Sequence, residues 1–417
     1  MKIVKVLGRE IFDSRGWPTV GCELFLENGL RVHASVPSGI SRGRHEACEL
    51  RDGGKRLWGK GVLKAVENIE QVIAPLILNE EPNVVTMDLR MLDLDGTPDK
   101  SHLGSNAMLA VSMAICKAQA LIEDIELYEL IAYLSYAEAV SLPFPQINLI
   151  NGALHGDSSL AIQEFMVMPL GAQNFRSSFE IGVAVFHELK QILQMHGKST
   201  AVGEEGGFST NFSSDEEALD YLTEALLRVE SNYGNRCVIA LDMAATQWYD
   251  QSSKTYVLHG TRYTPGDLIA WYADLIEKYP IFSIEDGLAE DDWEGWKVMT
   301  GTLAHKIQLV GDDLFVTNRE RIIYGAEHES ATGVIIKPNQ VGTVTETLQA
   351  IHESKLRELN VIISHRSGET EESFIADLAV GTSAGQIKAG GCTRGERLAK
   401  YNRLLAIEDV LMNQMVS

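Results

Sequence analysis

Several large protein classes are excluded by what this chain lacks. Its 417 residues include only five cysteines (Cys22, Cys48, Cys116, Cys237, Cys392). They are scattered, odd in number and contain no Cys-x-x-Cys pair. That argues against a disulfide framework or a thiolate zinc site and fits reduced thiols in a cytoplasmic protein. Positive charge is also scarce: 36 Lys and Arg against 58 Asp and Glu leave a formal net charge of −22. A nucleic-acid surface needs a basic stripe, and this balance does not supply one. No apolar run reads as long enough to span a bilayer. The N-terminus meets Lys2 and Lys5 too early for a signal peptide, so neither a surface nor a secreted pool is indicated. Fixed-period repeats and low-complexity segments are missing as well.

What is present is a large apolar fraction, 45% of the chain, enough for a barrel and a second domain. Residues 3–11 and 19–26 read as two strands, followed by a Glu27-Asn28-Gly29 turn. A Gly- and Ser-rich loop comes next, Pro37-Ser38-Gly39-Ile40-Ser41-Arg42-Gly43. Helical periodicity dominates from about 62 to 136, with Gly104-Ser105-Asn106 opening a strong helix. Strands followed by helices predict an α+β domain over 1–136. The pattern breaks at Ser141-Leu142-Pro143-Phe144-Pro145, so a second domain is expected over 141–417.

In that second part, six short apolar runs end directly in a charged or hydrogen-bonding residue. They are 238–241 before Asp242, 281–284 before Glu285, 307–311 before Asp312, 333–336 before Lys337, 361–364 before His365 and 386–387 before Lys388. The endpoints lie roughly 25–45 residues apart, the length of a strand–helix unit in a (β/α) barrel. Strand C-termini of such a barrel share one mouth, so these groups should converge there. Before them, 146–150 and 162–168 are apolar but joined by a Gly/Ser-rich link without helical period. A parallel crossover needs a dozen or more residues, so these two strands are expected to be antiparallel neighbours. Two helices should follow, about 174–196 and 214–231. The predicted order is ββαα(βα)6.

Three strand-end carboxylates, Asp242, Glu285 and Asp312, with no Cys or His among them, suit Mg²⁺. A lone acid at a strand end is usually a helix cap or a solvated charge, but three on consecutive strands are not. Lys337 should emerge into the mouth near Mg²⁺ and Lys388, which together disfavour its ammonium form and suit a general base. The plainer alternative is a lysine pairing with one of the metal-binding carboxylates. In Gly203-Glu204-Glu205-Gly206-Gly207, flanking glycines let backbone approach a ligand closely, although such a turn alone is weak evidence. His365-Arg366-Ser367 offers a guanidinium fork and a hydroxyl suited to phosphate.

At these residues the chain resembles the enolase family. The motifs are Asp13-Ser14-Arg15-Gly16, Pro37-Ser38-Gly39, Gln163-Glu164-Phe165-Met166, Ser283-Ile284-Glu285-Asp286-Gly287-Leu288, Gly311-Asp312-Asp313-Leu314 and Ser364-His365-Arg366-Ser367-Gly368-Glu369-Thr370. The resemblance implies a TIM-like barrel with an N-terminal α+β capping domain. It also implies a lyase of glycolysis and gluconeogenesis, interconverting 2-phosphoglycerate and phosphoenolpyruvate. Lysine or histidine bases with Mg²⁺ are the general pattern of enolase-superfamily sites. By motif, Asp242, Glu285 and Asp312 match ligands of a first Mg²⁺, and Ser38 a ligand of a second that arrives with substrate. Lys337 matches the base at C2 and Glu205 the acid at the departing hydroxyl. Glu164, His155, His365, Arg366, Ser367 and Lys388 match substrate contacts. A cytoplasmic homodimer is implied too, with Arg9 and Asp409 pairing across its two-fold axis.

The chain departs from the family pattern at Ile40 and Arg42 in the Ser38 loop, at Trp17, and at Gly21 and Ala406, where an acid and a base are both replaced. Two other readings follow from these changes: an enolase-derived, non-catalytic interaction protein, or a superfamily enzyme acting on another hydroxy acid.

Overall fold

The computed structural model describes residues 1–40, 43–153 and 160–416. Strands β1 (Ile3–Phe12), β2 (Pro18–Leu26) and β3 (Arg31–Ser35) form an antiparallel sheet. Two strands were expected here, and β3 is the addition. It is short and only its end is buried, so it has little periodicity of its own. Pairing with β2, from Gly21↔Ser35 to Phe25↔Arg31, is what makes it a strand. The helix Ser105–Glu123 packs on β2 and β3 and is mostly buried. It is long and apolar enough to cross a membrane, which corrects the expectation that no run has that length. Its burial on all sides is that of a core helix.

Eight further strands close into a barrel: β4 (Phe144–Asn151), β5 (Glu164–Met168), β6 (Val238–Asp242), β10 (Ile281–Glu285), β11 (Gln308–Gly311), β12 (Gly333–Ile336), β13 (Asn360–Ser364) and β14 (Gly385–Lys388). Between β6 and β10 lies a small sheet that periodicity did not reveal: β7 (Tyr249–Asp250), β8 (Thr255–Leu258) and β9 (Thr261–Tyr263). The buried Tyr256 hydroxyl ties this excursion to the barrel, donating to Asp292 at 2.8 Å and accepting from the Ala289 amide at 2.9 Å.

The ββαα(βα)6 order holds. β5 runs antiparallel to both β4 and β6, and the other neighbouring strands in the barrel are parallel. Reversal of β5 has a consequence for chemistry. Its first residue, Glu164, lies opposite Asp242, the last residue of β6, and so joins the mouth that collects the C-termini of the parallel strands.

Local signals delimit the outer helices. Asn174 and Ser214 cap the helices Phe175–Met195 and Asp215–Tyr233 through the amides of Ser177 and Glu217. Acids at 215–217 complement the N-terminal end of the second, and Gly234, at φ 72°, ends it in the left-handed conformation. Thr264 and Pro265 open the helix Pro265–Lys278.

Arg9 and Asp409, expected to face each other across a dimer axis, each have a partner within the chain. Arg9 pairs with Glu23 at 2.6 Å and Asp409 with Arg176 at 2.8 Å.

Candidate active site

The strand ends at the barrel mouth divide into an acidic side and a guanidinium side. On the acidic side, Asp242, Glu285 and Asp312 are all buried. The first two are register partners on adjacent strands. Between them sits the Lys388 ammonium, at 2.9 Å from Asp242, 3.0 Å from Glu285 and 3.3 Å from Glu164. Burial pulls the Lys388 pKa down, but these carboxylates, joined by Glu205, raise it well above its usual value. Burial also drives the Asp242 and Glu285 carboxyls upward, with like charge adding and Lys388 opposing.

Lys337 forms an ion pair with Asp312. The same Asp312 carboxylate accepts from the Gln340 amide at 3.0 Å, and the Thr317 hydroxyl links Gln340 to the Lys337 backbone. Lys337 was expected to have its ammonium disfavoured. Burial, the largest influence, does act in that direction, but the carboxylates, Asp312 foremost with Glu285 adding, together outweigh it and the pKa rises. The reason is the short pairing: an unscreened carboxylate in contact dominates the more distant Lys388 and Arg366.

Asp286 braces this side. At φ 45° it holds a left-handed conformation that costs a non-glycine residue about 1–2 kcal/mol. Its two oxygens accept the amides of Asp312 at 2.8 Å and Asp313 at 2.9 Å. In the sequence Asp286 stands out only as part of the motif over 283–288.

Glu164 and Glu205 are joined by Asn148, whose side-chain amide donates to them at 3.0 and 3.2 Å. His365 lies beyond, its Nε2 at 3.8 Å from Glu205. Gly207 permits this approach, since a Cβ there would meet Asn148 Oδ1 at 2.4 Å.

On the guanidinium side, Arg366 grips the Glu46 carboxylate with both terminal nitrogens, at 2.9 and 3.1 Å, and donates to Asn339 at 3.1 Å. Burial opposes the charged Arg366, but Glu46 keeps its pKa above the usual value. The Ser38 loop is docked against the clamp. Ser38 exchanges two backbone hydrogen bonds with Gly368, both 2.8 Å, and the Ile40 amide donates to the Ser367 hydroxyl at 2.8 Å. Gly39 must be glycine here, because a Cβ would meet Arg366 Nη2 at 2.0 Å. The Ser38 hydroxyl accepts from Arg51 at 2.8 Å, so in this arrangement it faces guanidinium groups. His155 and Arg42 lie outside the described residues.

The acidic side suits a hard divalent cation. Among the described residues, Glu285 Oε1 is buried with no hydrogen-bond partner, and Lys388 and Lys337 pair with the carboxylates around it. Oxygen-only donors without thiolate or imidazole are the set Mg²⁺ prefers. Two groups of potential ligands cluster within metal-binding reach among the described residues: the all-carboxylate set Asp286, Asp312 and Asp313, and Glu164 and Glu205 with the imidazole of His365.

The chain was compared with known protein families. Residues 3–131 match the family model described as enolase, N-terminal domain, and residues 139–416 match that of enolase, C-terminal TIM barrel domain.

Proposed function

The chain belongs to the enolase family, and from that premise we propose that it catalyses the reversible Mg²⁺-dependent dehydration of 2-phosphoglycerate to phosphoenolpyruvate. The observation that carries this reading is the Arg366 fork, buried beside Ser367 and held bidentate by an oxyanion of the protein itself, Glu46. A guanidinium in that state is preorganised for a phosphate, which presents the same pair of acceptor oxygens. A superfamily enzyme for an unphosphorylated hydroxy acid has no use for such a clamp.

Lys337, as the free amine, takes the proton from C2. The electron pair of that bond forms the C2–C3 double bond, and the C3–O bond breaks. Glu205, as the acid, gives its proton to the departing hydroxyl, which leaves as water. Glu164 and Asn148 hold Glu205, and Arg366 with Ser367 holds the phosphate once its fork exchanges Glu46 for it. Asp242, Glu285 and Asp312 would hold one Mg²⁺, and Ser38 would join a second that comes with substrate. When bound, the cations supply positive charge against the carboxylate as negative charge grows in the transition state. Release of Lys337 from Asp312 is needed before it can act as a base.

On this reading the protein is a cytoplasmic homodimer. Its intrachain Arg9–Glu23 and Arg176–Asp409 pairs leave Arg9–Asp409 contacts to be made by exchange at the interface. Sedimentation across a dilution series in low and high salt should give a dimer at micromolar concentration; a monomer in low salt would refute it. The activity itself is tested by ultraviolet absorbance of phosphoenolpyruvate formed from 2-phosphoglycerate, with Mg²⁺ and with chelator. A folded protein that forms no product with Mg²⁺ present refutes the proposal and leaves the other two readings, an interaction protein or a superfamily enzyme acting on another hydroxy acid.

A further inference from the structure

Arg397 was not singled out by the sequence, yet it has no solvent exposure and touches three of the segments that build the site. It belongs to the first turn of the C-terminal helix Gly395–Val416. One terminal nitrogen donates to His365 Nδ1 at 2.6 Å and to the Arg366 carbonyl at 2.7 Å. The other donates to the carbonyls of Ser367 at 2.6 Å and Glu204 at 3.0 Å. Gly390, at φ 87°, makes room for it, since a Cβ there would meet Arg397 Cδ at 2.6 Å.

The consequence is for the proton on His365. A guanidinium is a donor only and does not deprotonate in proteins. The atom it meets on the imidazole must therefore supply a lone pair, so Nδ1 carries no hydrogen. The single proton of the neutral ring then sits on Nε2, the nitrogen 3.8 Å from Glu205. An imidazolium would need a hydrogen on Nδ1 as well, directed into the arginine. Burial, with Arg397 next in strength, accordingly pulls the His365 pKa well below the ordinary imidazole value; Lys388 and Lys337 act in the same direction and Glu164 opposes.

We propose that Arg397 is a positioning residue that holds His365 as the neutral Nε2–H tautomer, a permanent donor facing Glu205. This rests on the reading of Glu205 as the acid. A ring with an Nε2 lone pair would accept the proton that Glu205 must deliver to the leaving hydroxyl; an Nε2–H donor cannot. The same argument removes His365 from the apparent metal-binding group with Glu164 and Glu205, because its accessible nitrogen has no lone pair to offer.

The tautomer is read directly by ¹⁵N NMR of histidine-labelled, ligand-free protein, with His365 assigned by comparison with His365→Gln. Wild type should show His365 as the neutral Nε2–H form throughout about pH 5 to 8. Arg397→Gln should let it titrate or populate the Nδ1–H form within that range. Its kcat should fall by up to about 100-fold, with a new dependence on acid pH. Arg397→Lys, which keeps a permanent donor, should restore the Nε2–H form and part of the kcat. In the His365→Gln background, Arg397→Gln should reduce kcat by much less than it does in wild type. An Nδ1–H or titrating His365 in wild type overturns the proposal, even if the Arg397 variants fail to fold. An unchanged tautomer and pH profile in a folded Arg397→Gln overturns it equally. The NMR result does not depend on activity, so an inactive protein with the expected tautomer would refute the enolase reaction and leave the tautomer assignment standing.

Discussion

The two sides of the barrel mouth meet the problem of buried charge in opposite ways. On the guanidinium side, Arg366 is neutralised by Glu46, and Arg397 spends its donors on three carbonyls and an imidazole. On the acidic side, Asp242, Glu285, Glu164 and Asp312 share two lysines, and an oxygen of Glu285 has no hydrogen-bond partner among the described residues. Among the described residues the first side meets most of its charge within the protein, with Arg397 Nε left buried and without a hydrogen-bond partner. The second has more carboxylates than lysines: burial, with like charge adding, raises the Asp242 and Glu285 pKa values, whereas at Asp312 burial is outweighed, by Lys337 foremost, and the pKa is lowered. A preformed clamp on one side and a demand for positive charge on the other together describe a site for an anion that arrives with metal.

The sharpest test of this division acts on the two proton-transfer groups. Lys337→Ala should reduce exchange of the C2 proton by about 10²–10⁴-fold, the usual worth of a positioned base. Glu205→Gln should keep that exchange while losing dehydration by a similar factor. Deuterium incorporation into 2-phosphoglycerate measures the first and phosphoenolpyruvate absorbance the second. Loss of exchange in both variants would mean that base and acid are not separate.

The next effect concerns the excess of carboxylate. Mg²⁺ at 100 times its dissociation constant should stabilise the fold by about 2.7 kcal/mol, seen as a rise in Tm that chelator reverses. Glu285→Gln should shrink that rise without shrinking any effect of phosphate. An equal rise in the variant would place the cation elsewhere.

On the other side, Arg366→Lys keeps the charge but loses the fork. Hydrogen bonds to charged groups are worth about 1.5–3 kcal/mol, so KM for 2-phosphoglycerate should rise roughly 10- to 100-fold, with kcat less affected. A fall in kcat at unchanged KM would show that Arg366 serves the chemistry and not the ground-state grip.

The smallest change is expected in the loop that joins the two sides. Ile40→Ala with Arg42→Thr should alter kcat or KM by only a few-fold through loop closure. The latch from position 40 to Ser367 is made by a backbone amide, which both residues supply. Steady-state kinetics and Mg²⁺ dependence identical to wild type would make these departures neutral.

Much of the fold could be read locally. Each parallel barrel strand is a short apolar run with a polar end, and the lack of a crossover helix between β4 and β5 marked them as antiparallel. β3 and the β7–β9 excursion escaped because they are short and exist through pairing, not through periodicity. In the site, Asp242, Glu285, Asp312, Lys337 and Lys388 were visible as strand endings. Asp286, Asn148 and Arg397 were not, since each acts through partners that sequence does not place beside it. Asn148 reaches a glutamate 57 positions away, and Arg366 finds its carboxylate at a separation of 320.

By itself, then, the amino-acid sequence determined the order of the barrel strands and the charged residues that end them, because periodicity and strand ends are local properties of the chain. Only the tertiary structure decided which charges meet. It turned β5 so that Glu164 enters the mouth, and it set Lys388 among three carboxylates. It brought Asp312 onto Lys337, whose ammonium form that carboxylate favours. Protonation depends on burial and on distance through space, and neither quantity is carried by position along the chain.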